Sequence, residues 1–160
     1  MNSNHIARHY RELAIKSATP VGLVILLYDF AIEALIRASM EIEAGNIEGR
    51  TAELNYCLAV LNELQRSLNF EEGGEVAKRL TDLYDVARGK ILEANIRSSK
   101  EIVERLSEVL TSIRGAWQVA EEKIAGQPGT EAAAEAPATK PAVPSSDPPE
   151  TDHLNLQWSA

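Results

Sequence analysis

Residues 17–36 read SATPVGLVILLYDFAIEALI, and they decide the fold. Thr19 before Pro20 has the form of an N-cap followed by a proline at the first helical position, so a helix starts here. With Leu23 set at 0° and about 100° added per residue, Ile32, Leu35, Ile36 and Ile42 fall between about 100° and 220°. That arc is a core-facing stripe, and Val24, Ile25, Tyr28 and Ala31 lie on it or close to it. Glu33, Arg37 and Glu41 fill the opposite side of the second half. In the first half the opposite side carries Leu26, Leu23 and Leu27, near about 300°, 0° and 40°. The helix therefore has one apolar stripe for a core and a second apolar patch where polar residues are expected.

Helical periodicity continues outward from this stretch. AGN at 44–46 stops the first helix, with Gly45 as a C′ residue, and Asn46 caps a second helix over 47–68 that carries Leu54, Leu58, Leu61 and Leu68. NFEEGG at 69–74 breaks the chain. A third helix over 75–97 places Val76, Leu80, Leu83, Ala87, Ile91 and Ala94 at steps of three and four. Ser98 and Glu101 have capping-box spacing for a fourth helix, to about residue 124, whose stripe is Ile102, Leu106, Val109, Ile113, Trp117, Ala120 and Ile124. Four helices joined by links of a few residues favour antiparallel neighbours, because a short loop cannot carry the chain back to its starting end. The expected fold is all-α, an antiparallel up-down four-helix bundle over 19–125, with a short N-terminal helical segment over 1–18. Gly89 and Gly115 within helices mark either close helix approach or tolerated surface positions.

Six of the seven prolines lie after residue 125, in a stretch of Ala, Pro, Glu and Ser. Such a composition cannot bury enough apolar area to offset an ordering entropy of about 1–2 kcal/mol per residue, so 126–160 is expected to be a disordered tail. It ends in HLNLQW, where Leu154, Leu156 and Trp158 alternate with polar residues. That pattern is either ordinary composition or a peptide that docks on the chain's own groove or on another protein.

Composition excludes several classes of function. A net charge of −8, with no dense Lys/Arg cluster, disfavours nucleic acid and anionic lipid. The longest apolar run, Val21 to Tyr28, is far short of the ~20 residues that cross a bilayer. Cys57 is the only cysteine and the start lacks a signal-peptide pattern, which fits a reducing cytoplasm. His5, His9 and His153 all lie outside the helices, so neither a bundle-core di-iron site nor a phospho-accepting histidine can be assembled. No phosphate loop, nucleophile elbow or zinc spacing is present. The expectation is a binding protein without enzymatic activity, metal or cofactor, with Cys57 as a small core residue.

Burying a leucine is worth about 1.5–3 kcal/mol, so Leu23, Leu26 and Leu27 form a patch that something should cover. Ile6, Tyr10 and Leu13 stand at i, i+4 and i+7 in the N-terminal segment and supply a fixed cover on one reading. On the other, the segment is a displaceable lid over a groove that receives an apolar helix from a partner. These six residues are the candidate partner-binding set.

LLYDFAIEAL with EAGNIE after it, SLNFEEGGEVAKRLTDLYD, ILEANI and IRGAW occur in an order and spacing that resemble the FliS family, flagellin-specific export chaperones of the bacterial flagellum. The resemblance covers about residues 5–123. It implies a cytoplasmic helical bundle, without enzymatic activity or cofactor, that binds the disordered C-terminal region of flagellin. Such binding prevents premature polymerisation and keeps the subunit competent for type III export, with the export gate as a further partner. A helical scaffold or adaptor using the same groove for another partner helix is the alternative. Tyr10 matches the family's N-terminal tyrosine, Thr19 and Pro20 its helix cap, and Leu26, Leu27, Tyr28 and Asp29 its first-helix positions. Leu83, Tyr84, Leu92, Asn95 and Trp117 match later positions of a structural kind. Val21 and Gly22 stand where the family usually has acidic residues, Phe30 replaces a common glycine and Cys57 a common alanine.

Overall fold

The structure, a computed structural model, describes residues 19–126 together with Glu12 and Ile15. Four helices follow one another: α1 (Pro20–Glu43), α2 (Ile47–Arg66), α3 (Phe70–Arg97) and α4 (Lys100–Ala125). Each is adjacent to the next and α1 also packs against α4, which closes a ring of four; α1 packs most intimately, and α3 with α4 least. No strand occurs among the described residues. The expected bundle is thus observed. The proposed segments 1–18 and 126–160 fall almost entirely outside the described residues.

Local chemistry sets each boundary. Thr19 Oγ1 accepts the Gly22 amide at 2.9 Å, with Pro20 at the first turn of α1. Gly45, at a φ of 68°, takes the left-handed position after α1, and Asn46 caps α2 through the Gly49 amide at 3.0 Å. Asn69 caps α3 by accepting from the Glu71 and Glu72 amides. One helical turn follows before Gly74, whose φ of 49° and ψ of −123° kink the chain. NFEEGG is therefore a capped turn and a kink rather than a loop. Ser98 is not the cap of α4: it is the left-handed residue that ends α3, at a φ of 52°. Ser99 caps α4 by accepting the Ile102 amide at 3.3 Å. The two serines are adjacent, and only backbone geometry tells which one turns.

The core follows rows of seven: Val21, Tyr28 and Leu35 on α1, Leu54, Leu61 and Leu68 along and just beyond α2, Ala77, Tyr84 and Ile91 on α3, and Val103, Leu110 and Trp117 on α4, all buried. Three expected core residues lie elsewhere. Ile36, Val76 and Val109 are 45%, 44% and 40% exposed. On α1, the stripe is displaced toward Ala34 and Ala38, both fully buried, because small side chains allow a close approach of helices. On α3 and α4 the row one residue further on, through Ala77 and Leu110, is the one that faces inward. Gly89 and Gly115 have no atom within 4 Å of a would-be Cβ, so they mark no close approach.

At the centre, Tyr28 Oη and Tyr84 Oη share a 2.7 Å hydrogen bond across the bundle diagonal. Burial pushes both phenols up from their usual range, and hydrogen bonds from Tyr84 and Trp117 partly oppose this at Tyr28. Cys57 Sγ donates to the Ala31 carbonyl at 3.7 Å, and burial raises the thiol to about 12. The residue is the small core group expected, not a nucleophile. Asn95 joins α2 to α3 by accepting from Arg50 at 3.0 Å and Thr51 at 3.2 Å.

Candidate binding surface

Arg114 on α4 and Arg37 on α1 orient the candidate surface. Arg114 donates to Asp29 at 2.6 and 3.3 Å, so the flank of α1 bearing Asp29 faces α4. Arg37 donates to Glu53 at 2.9 Å, so its flank faces α2. Between these flanks lies the outward face of α1, and in the first half of the helix it carries Leu26, with Leu23 and Leu27 turned toward α2. Leu23, Leu26 and Leu27 are half-buried and packed against the core. They are neither free in solvent nor fully interior, so a large part of each side chain can still gain burial. Ile6, Tyr10 and Leu13, the other half of the expected set, lie outside the described residues.

Phe30, four residues after Leu26 and seven after Leu23, belongs to the buried core rather than to the strip. It is only 8% exposed. On α2, Tyr56 and Val60 lie one turn apart on the flank that meets α1 and extend the apolar surface sideways; Tyr56 is 37% exposed and Val60 is buried.

Polar contacts bound the surface on three sides. Toward α4 stands the Asp29–Arg114 pair, and at the top Thr19 donates to Glu121 at 2.7 Å. At the bottom Arg37 bridges Glu33, at 3.5 Å, and Glu53. Partly exposed pairs of this kind add about 0–1 kcal/mol each to stability, so they act mainly as a fixed polar frame. An apolar strip inside such a frame can bind one side of an apolar helix or an extended segment; it holds no group that could perform acid, base or nucleophilic chemistry. No cluster of metal-ligating side chains occurs among the described residues, and no helix there is long and apolar enough to cross a membrane.

Residues 2–124 match the family described as flagellar protein FliS. The chain belongs to the FliS family. It is 33% identical over 117 residues to the flagellar secretion chaperone FliS of Salmonella typhimurium, covering 72% of this chain and 87% of that one. Identity to the FliS of Escherichia coli K12 is 32% over 108 residues, covering 67% and 79%, and to that of Vibrio cholerae 30% over 112 residues, covering 68% and 82%. FliS proteins are secretion chaperones, not enzymes, in agreement with the chemistry of the surface. Of the positions on which the resemblance was drawn, Tyr28, Tyr84 and Trp117 are core and Asn95 is an interhelical clamp, whereas Leu92 is 54% exposed and has no core role.

Proposed function

We propose that this FliS-family chain is a cytoplasmic chaperone for flagellin, and that the apolar strip of α1 formed by Leu23, Leu26 and Leu27 takes part of the client's disordered C-terminal region. The observation that carries the reading is an apolar strip left half-buried inside a polar frame, on a member of a family of flagellar secretion chaperones. The client segment folds as it binds, which blocks its premature polymerisation and holds it for type III export.

Magnitude limits what the strip alone can do. Completing the burial of three half-buried leucines contributes about 2–4.5 kcal/mol, whereas micromolar binding needs about 8 kcal/mol net. The client must therefore reach further surface, which favours a long segment wrapped on the bundle over a single docked turn. Ile6, Tyr10 and Leu13 act as a lid that competes for the same strip, so Ile6→Ser, Tyr10→Ser and Leu13→Ser together should raise client affinity. Titration of the full chain with a peptide from the C-terminus of its own organism's flagellin, followed by calorimetry, tests the reading: saturable binding in the micromolar range is expected, and its absence sinks it.

A further inference from the structure

A second apolar surface lies away from the α1 strip, between α3 and α4. Arg88 and Asn95 commit one flank of α3 to α2, through Asn62 at 3.0 Å and through Arg50 and Thr51. Arg114 and Lys100 commit one flank of α4 to α1, through Asp29 and Glu43. The remaining flanks therefore face each other across the least intimate junction of the ring. On α3 that flank reads Val76, Arg79, Leu83, Val86, Lys90, Glu93 and Arg97. On α4 it reads Arg105, Val109, Ser112, Ala116, Val119 and Lys123, all exposed. Glu93 is the one acidic residue of the α3 row and the α4 row has none between Arg105 and Lys123, although the chain carries a net charge of −8. Glu93 pairs with Lys90 and Arg97 within the row, and Glu75 beside it pairs with Arg79, but Arg105 and Lys123 have no ion-pair partner among the described residues. The result is an apolar seam with a basic rim: Val86 is 61% exposed, Val119 51% and Val109 40%.

We propose that residues 147–158, DPPETDHLNLQW, dock in cis along this α3–α4 seam. The segment is complementary in both respects. Asp147, Glu150 and Asp152 supply the negative charge that Arg105 and Lys123 lack, and Leu154, Leu156 and Trp158 supply alternating apolar side chains. From Leu154 to Trp158 an extended chain spans about 13 Å, against about 15 Å of α4 between Val109 and Val119. The link from Gly126 to Leu154 has 28 steps, and a flexible chain of that length has an r.m.s. reach of about 26–32 Å, comparable to the ~39 Å length of α4. It leaves α4 at the end where Lys123 and, on α3, Val76 stand, so no return path along the bundle is needed. Tethering supplies an effective concentration of about 1 mM, so a peptide with a free affinity of only about 0.1 mM is docked about 90% of the time. The inference concerns a different face from the client strip and does not depend on the identity of the client.

Trp158 provides the readout, because the only other tryptophan, Trp117, is 2% exposed and shielded from a soluble quencher. Acrylamide quenching of the full chain, with Trp158→Phe giving the background, should show Trp158 protected at every protein concentration. In Val86→Asp/Val109→Asp, with helix content unchanged by circular dichroism, its quenching constant should rise by up to about tenfold. Arg105→Glu/Lys123→Glu, at two exposed positions, should give a smaller rise and serves if the valine variant fails to fold. Quenching of Trp158 in the unaltered chain at the rate of free tryptophan would overturn the proposal. So would protection that grows with protein concentration, which indicates docking on a second copy, or protection lost in Leu26→Asp and kept in both seam variants, which indicates docking on α1.

Discussion

The triplet Leu-Tyr-Asp occurs twice, at 27–29 in α1 and at 83–85 in α3, and the two copies sit diagonally across the bundle. In both, the tyrosine is fully buried, and the two hydroxyls bond to each other at 2.7 Å; in both, the leucine is half-buried on a flank. The aspartates differ. Asp29 reaches across to Arg114 on α4, whereas Asp85 accepts from Arg88 of its own helix at 2.6 Å, leaving Arg88 to bind Asn62 and Gln65 on α2. So do the surroundings: Leu26 and Phe30 flank the first copy, Asp82 and Val86 the second. One triplet thus serves the same core, and its neighbours decide what each helix offers outside: a framed apolar strip on α1 and a basic-rimmed seam beside α3.

Removing the shared element should have the largest effect. Tyr28→Ala and Tyr84→Ala each empty a fully buried aromatic site and should cost about 3–5 kcal/mol in urea unfolding. Deleting only the hydroxyls tests the bond between the two copies: Tyr28→Phe and Tyr84→Phe each orphan the partner's buried hydroxyl and should each cost about 1–3 kcal/mol. Ala34→Leu forces a large side chain into the close α1–α2 contact and should cost about 1–3 kcal/mol by overpacking. Charge removal should matter least. Asp29→Asn and Asp85→Asn should each change stability by less than about 1 kcal/mol, the interhelical pair more than the local one.

Alkaline titration sharpens the same contrast. Cys57 is raised from its ordinary value near 9 to about 12, and both phenols are raised by burial. Each group binds its proton more tightly when folded, so the stability it contributes is present below the unfolded value and is lost as pH rises above it. Urea midpoints should begin to fall near pH 9 and fall faster beyond pH 10. Cys57→Ala should remove the first part of that decline, and the native thiol should resist alkylation until the chain unfolds.

The number and order of helices, the N-cap at Thr19, the turn at Gly45 and the cap at Asn46 were legible in the sequence because each rests on residue types with few conformational options. The inner rows of α3 and α4 were legible in part: Ala87, Ile91, Ala94, Leu106, Trp117 and Ala120 are buried as expected, but Val76 and Val109 are not. Val76 and Val109 look more apolar than Ala77 and are no less so to the eye than Leu110, yet the row with the small residue or the longer reach is the one that turns inward. Periodicity gives a stripe, but its rotation by one residue depends on how closely neighbouring helices approach, and alanines control that approach. Of the proposed strip, Leu23, Leu26 and Leu27 stood out as apolar residues on a polar side, whereas Tyr56 and Val60 adjoin it only because α2 packs beside α1.

The central claim is that the apolar strip of α1 anchors the client segment. It is tested most directly by titrating the unaltered chain, Leu26→Asp and Val86→Asp in parallel with the flagellin C-terminal peptide, with helix content monitored for each. The account predicts micromolar binding to the unaltered chain, at least about tenfold weaker binding to Leu26→Asp with its helix content intact, and little change for Val86→Asp. Equal affinity for the unaltered chain and Leu26→Asp, or unfolding of Leu26→Asp, would contradict it, the second by placing Leu26 in the core.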